Sequence, residues 1–378
     1  MSDDETVATS WPARLQAEWL LLLFAVLALL LAILDPQPLT SYRRWLQLPT
    51  LAGLLGLLIA IQGIRDSGLV QRAAAALAAR MHTVRTLGLL LVMATALLSM
   101  LLTNDVSLFL IVPMTVALGA VSNLPVLRMV VLEALAVNAG STLSPIGNPQ
   151  NLLLWQAAHI PFPDFVVAML PAAAVMLLLL IALTWYWLPA THIDLDRTSN
   201  RHANISMPLA ALSATALFGM VLLMEYGHAQ IGALLMMFAF GVFHRRSVLD
   251  IDWLLLITFA AIFVALGHVA ELPLVREALQ RLDFNQPLQV YVSGIVVAQL
   301  ISNVPATVLL LGHVPDPLAL AVAVNVGGFG AAIGSLANLI ALRLARQACG
   351  LRRLHQVSIP FLLVCAPLVY LVSRWITL

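Results

Sequence analysis

Val137-Asn-Ala-Gly-Ser-Thr-Leu-Ser-Pro-Ile-Gly-Asn-Pro-Gln-Asn-Leu152 and Val324-Asn-Val-Gly-Gly-Phe-Gly-Ala-Ala-Ile-Gly-Ser-Leu-Ala-Asn-Leu339 align without a gap and agree at seven positions. Ahead of the first stands Leu102-Thr103-Asn104, and ahead of the second Ile301-Ser302-Asn303. Earlier again each half has an amphipathic stretch, Gly68–Met81 and Leu272–Leu282. In the second of these, Leu272, Val275, Leu279 and Leu282 share one helical face. Three features recurring in one order predict a chain built from two repeats.

Both quoted stretches are apolar runs interrupted by Gly, Asn and other small or polar residues. The whole chain is 61% hydrophobic and 10% charged, where a soluble domain carries about 25% charged residues. Such a chain cannot cover itself with polar surface in water, so its solvent is a lipid bilayer. A helix crosses about 30 Å of hydrocarbon with roughly 20 apolar residues. Full spans are expected at 18–34, 49–64, 165–188, 208–225, 229–243, 252–268 and 357–376. The segments 86–118, 127–158, 286–313 and 316–346 are too long for one simple crossing, and each carries Gly, Pro or Asn at its centre.

Every basic residue is Arg. Let the polar N-terminus, 1–17, be cytoplasmic, and let 86–118 and 286–313 be hairpins that enter and leave on one side. Then Arg43, Arg44, Arg276, Arg281 and Arg374 lie outside and all other Arg inside. That positive-inside bias predicts a multi-pass protein of a bacterial or archaeal cytoplasmic membrane. The first hairpin then opens inside and the second outside. The expected fold is an all-α polytopic membrane protein of two inverted repeats, each with a re-entrant hairpin and an unwound transmembrane helix. The first repeat covers 18–188, with hairpin 86–118 and broken helix 127–158. A cytoplasmic linker and connecting helix take 189–228. The second repeat covers 229–378, with hairpin 286–313 and broken helix 316–346.

Interrupted helices survive in a membrane only where buried in protein or lining a cavity. Each interruption here reads as a helix start. Asn104 caps a helix from Asp105, Asn303 caps one with Pro305 in its first turn, Asn148 precedes Pro149, and Ser335 aligns with Asn148. A helix start offers free N–H groups and a partial positive charge, so converging starts make an anion site without a basic side chain. The Gly-rich segments 140–147 and 327–334 supply carbonyls, with Gly147, Gly327, Gly328 and Gly334 at their turns. Thr103, Ser141, Thr142, Ser144 and Ser302 add hydroxyls, and such oxygens suit a small hard cation such as sodium.

Asp105 sits at a hairpin tip where its repeat mate is Val304. It can bind sodium, carry a proton, or favour the helix start. Glu133 stands inside an apolar run, with a structural and a functional reading evenly matched and no partner named. Asn138 and Asn325 suit an interhelical hydrogen bond as well as a ligand role. His268 and His313 read as interfacial, and His192, Asp194 and Asp196 as a solvated linker. Cys349 and Cys365 suggest neither disulfide nor metal. A net charge of +1 without a basic block excludes nucleic acid as a partner. With no His-Glu-x-x-His motif and no nucleophile paired with a base, an enzyme is not expected.

At Thr103-Asn104-Asp105, Ser302-Asn303-Val304-Pro305, Ile146-Gly147-Asn148-Pro149-Gln150-Asn151-Leu152 and Ile333-Gly334-Ser335-Leu336-Ala337-Asn338-Leu339 the chain resembles the ion transporter superfamily. That group includes divalent-anion/sodium symporters, citrate transporters, arsenite pumps and certain sodium/proton antiporters. The resemblance implies Asn-tipped hairpins, two unwound helices, a homodimer and elevator-type movement of the site. It implies one half-site from Thr103, Asn104 and the 140–147 loop, and another from Ser302, Asn303 and the 327–334 loop. The sodium-coupled dicarboxylate members carry Ser-Asn-Thr at both tips, whereas this chain has Thr-Asn-Asp and Ser-Asn-Val. The expected function is secondary active transport of a small anion, carboxylate or inorganic oxyanion, coupled to sodium or protons. Arsenite or oxyanion efflux by proton exchange, and sodium/proton antiport, stand as alternatives. No cofactor is expected beyond a sodium ion.

Overall fold

The structure is a computed structural model and describes residues 19–69, 72, 82–120, 124–193, 205–345 and 350–376. The first half opens with α1 (Trp19–Leu34), α2 (Leu39–Trp45) and α3 (Leu48–Asp66). It continues with a hairpin, α4 (Val84–Leu101) and α5 (Asn104–Ala120), a broken helix, α6 (Val126–Ser141) and α7 (Pro149–Ala158), and the long α8 (Phe162–Trp187). After α9 (Met207–Glu225) come α10 (Ala229–Phe243), α11 (Arg246–Leu249), α12 (Trp253–Glu271) and α13 (Pro273–Gln280). A second hairpin, α14 (Pro287–Ile301) and α15 (Asn303–Leu311), a second broken helix, α16 (Pro317–Val326) and α17 (Leu336–Ala345), and α18 (Gly350–Ile376) complete the chain. The described residues contain no β-strand beyond one bridge between Thr83 and His192.

Local chemistry sets these boundaries. Thr83 and Thr86 form a reciprocal capping box at the start of α4. Asp252 and Asp316 cap α12 and α16, accepting from Leu255 N and Leu318 N at 2.9 Å. Proline opens α3, α7, α8, α14 and α16 within the first two positions, where its missing N–H has no partner to lose.

Among the described residues six helical stretches are long and apolar enough to cross a membrane: Leu48–Asp66, Val84–Leu101, Phe162–Trp187, Met207–Glu225, Arg246–Glu271 and Gly350–Ser373. The chain is therefore read as a multi-pass membrane protein. The spans expected at 18–34 and 229–243 correspond to α1, described from Trp19 onward, and to the 15-residue α10. α10 ends where Ser247 bonds both His244, at 2.9 Å, and Asp66, at 2.9 Å. The first amphipathic stretch, 68–81, lies mostly outside the described residues, as do Asp194, Asp196 and Cys349. Its counterpart forms α13, with Leu279 buried but Leu282 exposed.

Packing follows a reciprocal pattern. α4 lies along α6, as α14 lies along α16; α3 packs on α10, as α12 packs on α1. The first piece of each broken helix meets the second piece of the other, α6 against α17 and α16 against α7. The two broken helices thus cross head to tail.

Loop contacts divide the ends into two faces. On one, Arg44 pairs with Glu271, and Thr50 donates to Gln156 at 2.6 Å. His268, expected to be interfacial, is instead 1% exposed. It bonds Asp35 at 3.0 Å and stacks on Trp45 at 4.9 Å, and this bond, followed by one from Gln37, holds the Asp35 carboxyl below its usual range. On the other face Ser206 N donates to Ser67 O, and Arg85 to Leu188 O at 2.9 Å.

Candidate functional site

In the first half the two interruptions are tied together. Asn148 caps α7, its Oδ1 accepting from Asn151 N at 2.8 Å, with Pro149 at the first helical position. The Asn104 N–H donates to Gly147 O at 2.9 Å, so the hairpin tip rests on the unwound segment. The cap of α5 differs from expectation by one residue. Asn104 is the first helical residue, and the hydroxyl of Thr103 takes the Val106 N–H at 3.4 Å. A hydroxyl directly before the helix reaches that donor, whereas a side chain already in the helix points elsewhere.

The second half is built similarly but held by other residues. Ser302 turns the tip at φ +78°, a left-handed conformation unusual for a residue with a Cβ. Ser302 stands at the position before α15 but its side chain makes no cap bond, and the Asn303 side chain takes the first-turn N–H of Val304 at 2.9 Å. Pro305 is buried in the first turn. Gln299, one turn before the tip, donates to Gly327 O and Phe329 O at 2.6 Å each and accepts from Ala331 N at 2.7 Å. From α18, Ser358 accepts from Gly330 N at 2.7 Å and His355 from Ala332 N at 3.0 Å. Ser335 stands before α17, yet its buried hydroxyl has no partner, so it does not cap as expected. Gln299, Ser358 and His355 escaped sequence reasoning.

Asparagines join the halves. Asn325 donates to Asn151 Oδ1 at 2.6 Å, and Asn138 donates to Asn338 Oδ1 at 3.0 Å. In the gapless alignment Asn138 matches Asn325 and Asn151 matches Asn338. The two bonds are therefore mates under the repeat. Asn148 also donates to Asn325 Oδ1 and to Ser141 Oγ, each at 3.0 Å.

The glycines repeat the pattern. A Cβ on Gly140 would meet Ala96 O at 2.2 Å and Ser99 Oγ at 2.5 Å. One on Gly327 would meet Ala298 Cβ at 2.6 Å and Ile295 Cα at 3.2 Å. Both positions need the missing side chain for the hairpin to approach the unwound helix.

The expected site residues that the structure describes are closed to solvent, while Gln299 and His355 beside them are half-buried. Thr103, Asn104, Ser141, Thr142, Ser144, Asn148, Ser302, Asn303 and Ser335 are buried, as are Gly147, Gly327, Gly328 and Gly334. The carbonyls expected to be free already accept bonds: Asn151 Nδ2 reaches Ser141 O, Thr142 O and Ser144 O at 3.0–3.1 Å, and Asn338 Nδ2 reaches Gly328 O at 3.0 Å. A carbonyl has a second lone pair, so a cation can still share these oxygens. Asp105 stands second in α5, and its side chain lies outside the described structure. The helix starts at α5, α7, α15 and α17 present first-turn N–H groups and positive dipole ends. A cavity of about 650 Å³ lies at the far end of α7, lined by Gln47, Trp155, Gln156, His159, Glu225 and Leu311.

Comparison with known proteins places this architecture. The family model described as Citrate transporter, CitMHS, matches residues 7–317. The chain is 39% identical over 322 residues to "Inner membrane protein YbiR" of Escherichia coli K12, covering 84% of this chain and 85% of that protein. It is 30% identical over 323 residues to "Uncharacterized transporter MJ0456" of Methanocaldococcus jannaschii, covering 85% and 86%. A shorter match of 144 residues, 32% identical, joins 38% of this chain to 30% of "Silicon efflux transporter LSI3" of Oryza sativa.

Proposed function

We propose that this chain, which belongs to the citrate transporter family, moves a small anion, carboxylate or inorganic oxyanion, across the cytoplasmic membrane by secondary active transport coupled to sodium or protons. That it is a membrane transporter and not an enzyme follows from the family. The choice of an anion rests on one observation above others: reciprocal asparagine bonds hold two interrupted helices head to tail, with the first hairpin tip on Gly147 and the second hairpin arm, through Gln299, on Gly327. Helix starts gathered in this way favour negative charge without Lys or Arg. The anion contacts would come from Thr103, Asn104, Asn148, Ser302, Asn303, Pro305 and Ser335. Ion coupling would use Asp105, Ser141, Thr142, Ser144, Gly147, Gly327, Gly328 and Gly334. The closed state alternates with open ones, and elevator movement in a homodimer belongs to this reading through the resemblance.

A cytoplasmic N-terminus fits the charge on the two faces. The face bearing Asp66, Leu188 and Ser206 carries Arg65, Arg85, Arg128, Arg245, Arg246, Arg343, Arg352 and Arg353. The opposite face carries Arg43, Arg44, Arg276 and Arg281. The name of the Escherichia coli relative supports an inner-membrane location.

The test is uptake by liposomes holding the purified protein, given labelled succinate, citrate or sulfate under an inward sodium gradient and then an inward proton gradient. Accumulation of one anion under one gradient supports import and names the ion. No accumulation under either contradicts import. A second reading, efflux of an oxyanion, draws on the match to a relative named as a silicon efflux transporter. It predicts that vesicles loaded with arsenite release it against an imposed proton gradient.

A further inference from the structure

Glu133 sits in the middle of α6, five residues before Asn138, or about 8 Å along the helix axis. It is 0% exposed. Its Oε1 accepts from Thr115 Oγ1 on α5, and its Oε2 has no partner among the described residues. The residues one turn away on α6, Val130 and Val137, belong to a buried apolar cluster with Val112 of α5 and Ala337 and Ala341 of α17. Keeping an ionised carboxylate with one hydrogen bond in such surroundings is costly.

Charge around it is sparse, and no described residue forms an ion pair with it. α4 brings Arg85, which donates to Leu188 O, and α6 itself brings Arg128, which reaches toward Trp187 O. α5 carries Asp105 at its start, ten residues before Thr115, and α8 carries Asp164 in its own first turn. α17 carries Arg343, which is exposed. On α18, Arg352 is exposed, Arg353 lies over Trp187, His355 is bonded to Ala332 N, and Cys365 and Tyr370 lie toward Tyr291.

We propose that Glu133 is a proton-carrying residue of the transport cycle, loaded while the first hairpin is seated on α6 and unloaded when it lifts. The proposal rests on the transporter reading above. The Thr115 bond joins the hairpin arm to the broken helix, and α5 runs unbroken from Thr115 back to the tip at Asn104. Pro113, two residues before Thr115, removes one helix hydrogen bond and gives the arm a bend point beside the contact. When α5 leaves α6, water replaces both the apolar cluster and Thr115, and the carboxyl releases its proton. By linkage, protonation favours the seated hairpin to the same degree that seating favours protonation. The surroundings favour a proton over a metal cation, which gathers about six or more oxygens. Among the described residues, the only oxygen bonded to the Glu133 side chain is Thr115 Oγ1.

Two measurements test this. Infrared difference spectra of the purified protein at neutral pH, native minus Glu133→Gln, should show the C=O band of a protonated carboxyl, and Thr115→Val should shift that band. In liposomes a pH step of about one unit is worth about tenfold accumulation per coupled proton. The native protein should show that gain for whichever of citrate, succinate or sulfate it moves, Glu133→Gln should lose it, and Glu133→Asp should recover part of it. Absence of the carboxyl band, or proton-driven accumulation undiminished in Glu133→Gln, overturns the proposal. If the native protein moves none of the anions, the transport reading fails and the infrared band alone decides the state of Glu133.

Discussion

The side-chain amide of Asn138 donates to the side-chain oxygen of Asn338 at 3.0 Å, across 200 residues of chain. Its repeat mate, Asn325 to Asn151, closes at 2.6 Å. Each bond runs from the first piece of one broken helix to the second piece of the other. The pair thus clamps both interruptions at once.

The clamp predicts matched energetics. Hydrogen bonds between membrane helices average about 0.6 kcal/mol and reach about 1.7. A double-mutant cycle on Asn138→Ala and Asn338→Ala should give a coupling in that range. The cycle on Asn325→Ala and Asn151→Ala should give a similar one. Unfolding in mixed micelles measures both, and coupling in one pair only would contradict a repeat-symmetric clamp.

The glycine contacts predict an asymmetry. Overpacking costs about 1–3 kcal/mol. Gly140→Ala drives a methyl against the backbone oxygen of Ala96, whereas Gly327→Ala meets the methyl of Ala298. Both should lower the melting temperature in detergent. Ala298→Gly should restore Gly327→Ala, and trimming Ser99 should not restore Gly140→Ala.

Ser335 and Asn148 align in the repeat but should separate by experiment. Asn148→Ala removes a cap together with the bonds to Asn325 and Ser141, and should cost more than a cap alone, which is worth about 1 kcal/mol. Ser335→Ala removes a buried hydroxyl with no partner among the described residues and should leave stability unchanged or raise it. If Ser335 serves the anion, uptake by the Ser335→Ala protein falls while its melting temperature holds.

Gln299 is the clamp of the second unwound segment. Gln299→Leu leaves two carbonyls and one N–H without partners, at about 1–3 kcal/mol for each group that stays buried and unpaired. Hydrogen exchange should rise at 327–331 more than elsewhere. Gln299→Glu should also fail, because a carboxylate can accept from Ala331 but cannot donate to Gly327 or Phe329.

The repeat was legible because Gly and Asn punctuate otherwise apolar runs, and a gapless match at Asn138 and Asn325 is hard to produce from composition alone. The hairpins and broken helices followed from segment length and the requirement that membrane backbone satisfies itself. At the first tip the cap slipped by one residue, from Asn104 to Thr103, because either residue can cap and only backbone dihedrals decide; at the second tip the Asn303 side chain takes the Val304 N–H. Gln299, His355 and Ser358 were invisible because each is a lone polar residue whose partner lies 23–32 positions away, with no periodicity to mark it. The occupancy of the loop carbonyls was equally hidden, since Asn151 and Asn338 read as motif residues and not as donors. His268 looked interfacial because its Asp35 and Trp45 partners stand more than two hundred positions earlier in the chain.

We propose that the two hairpin tips form one anion site. The most direct test of this is gradient-driven uptake by liposomes carrying native protein, Asn104→Ala, Asn303→Ala, or both substitutions, using labelled citrate, succinate and sulfate. One anion should accumulate with native protein, each single substitution should reduce its uptake, and the double variant should match empty liposomes while remaining folded. Uptake by the double variant equal to that of the native protein would place the site elsewhere.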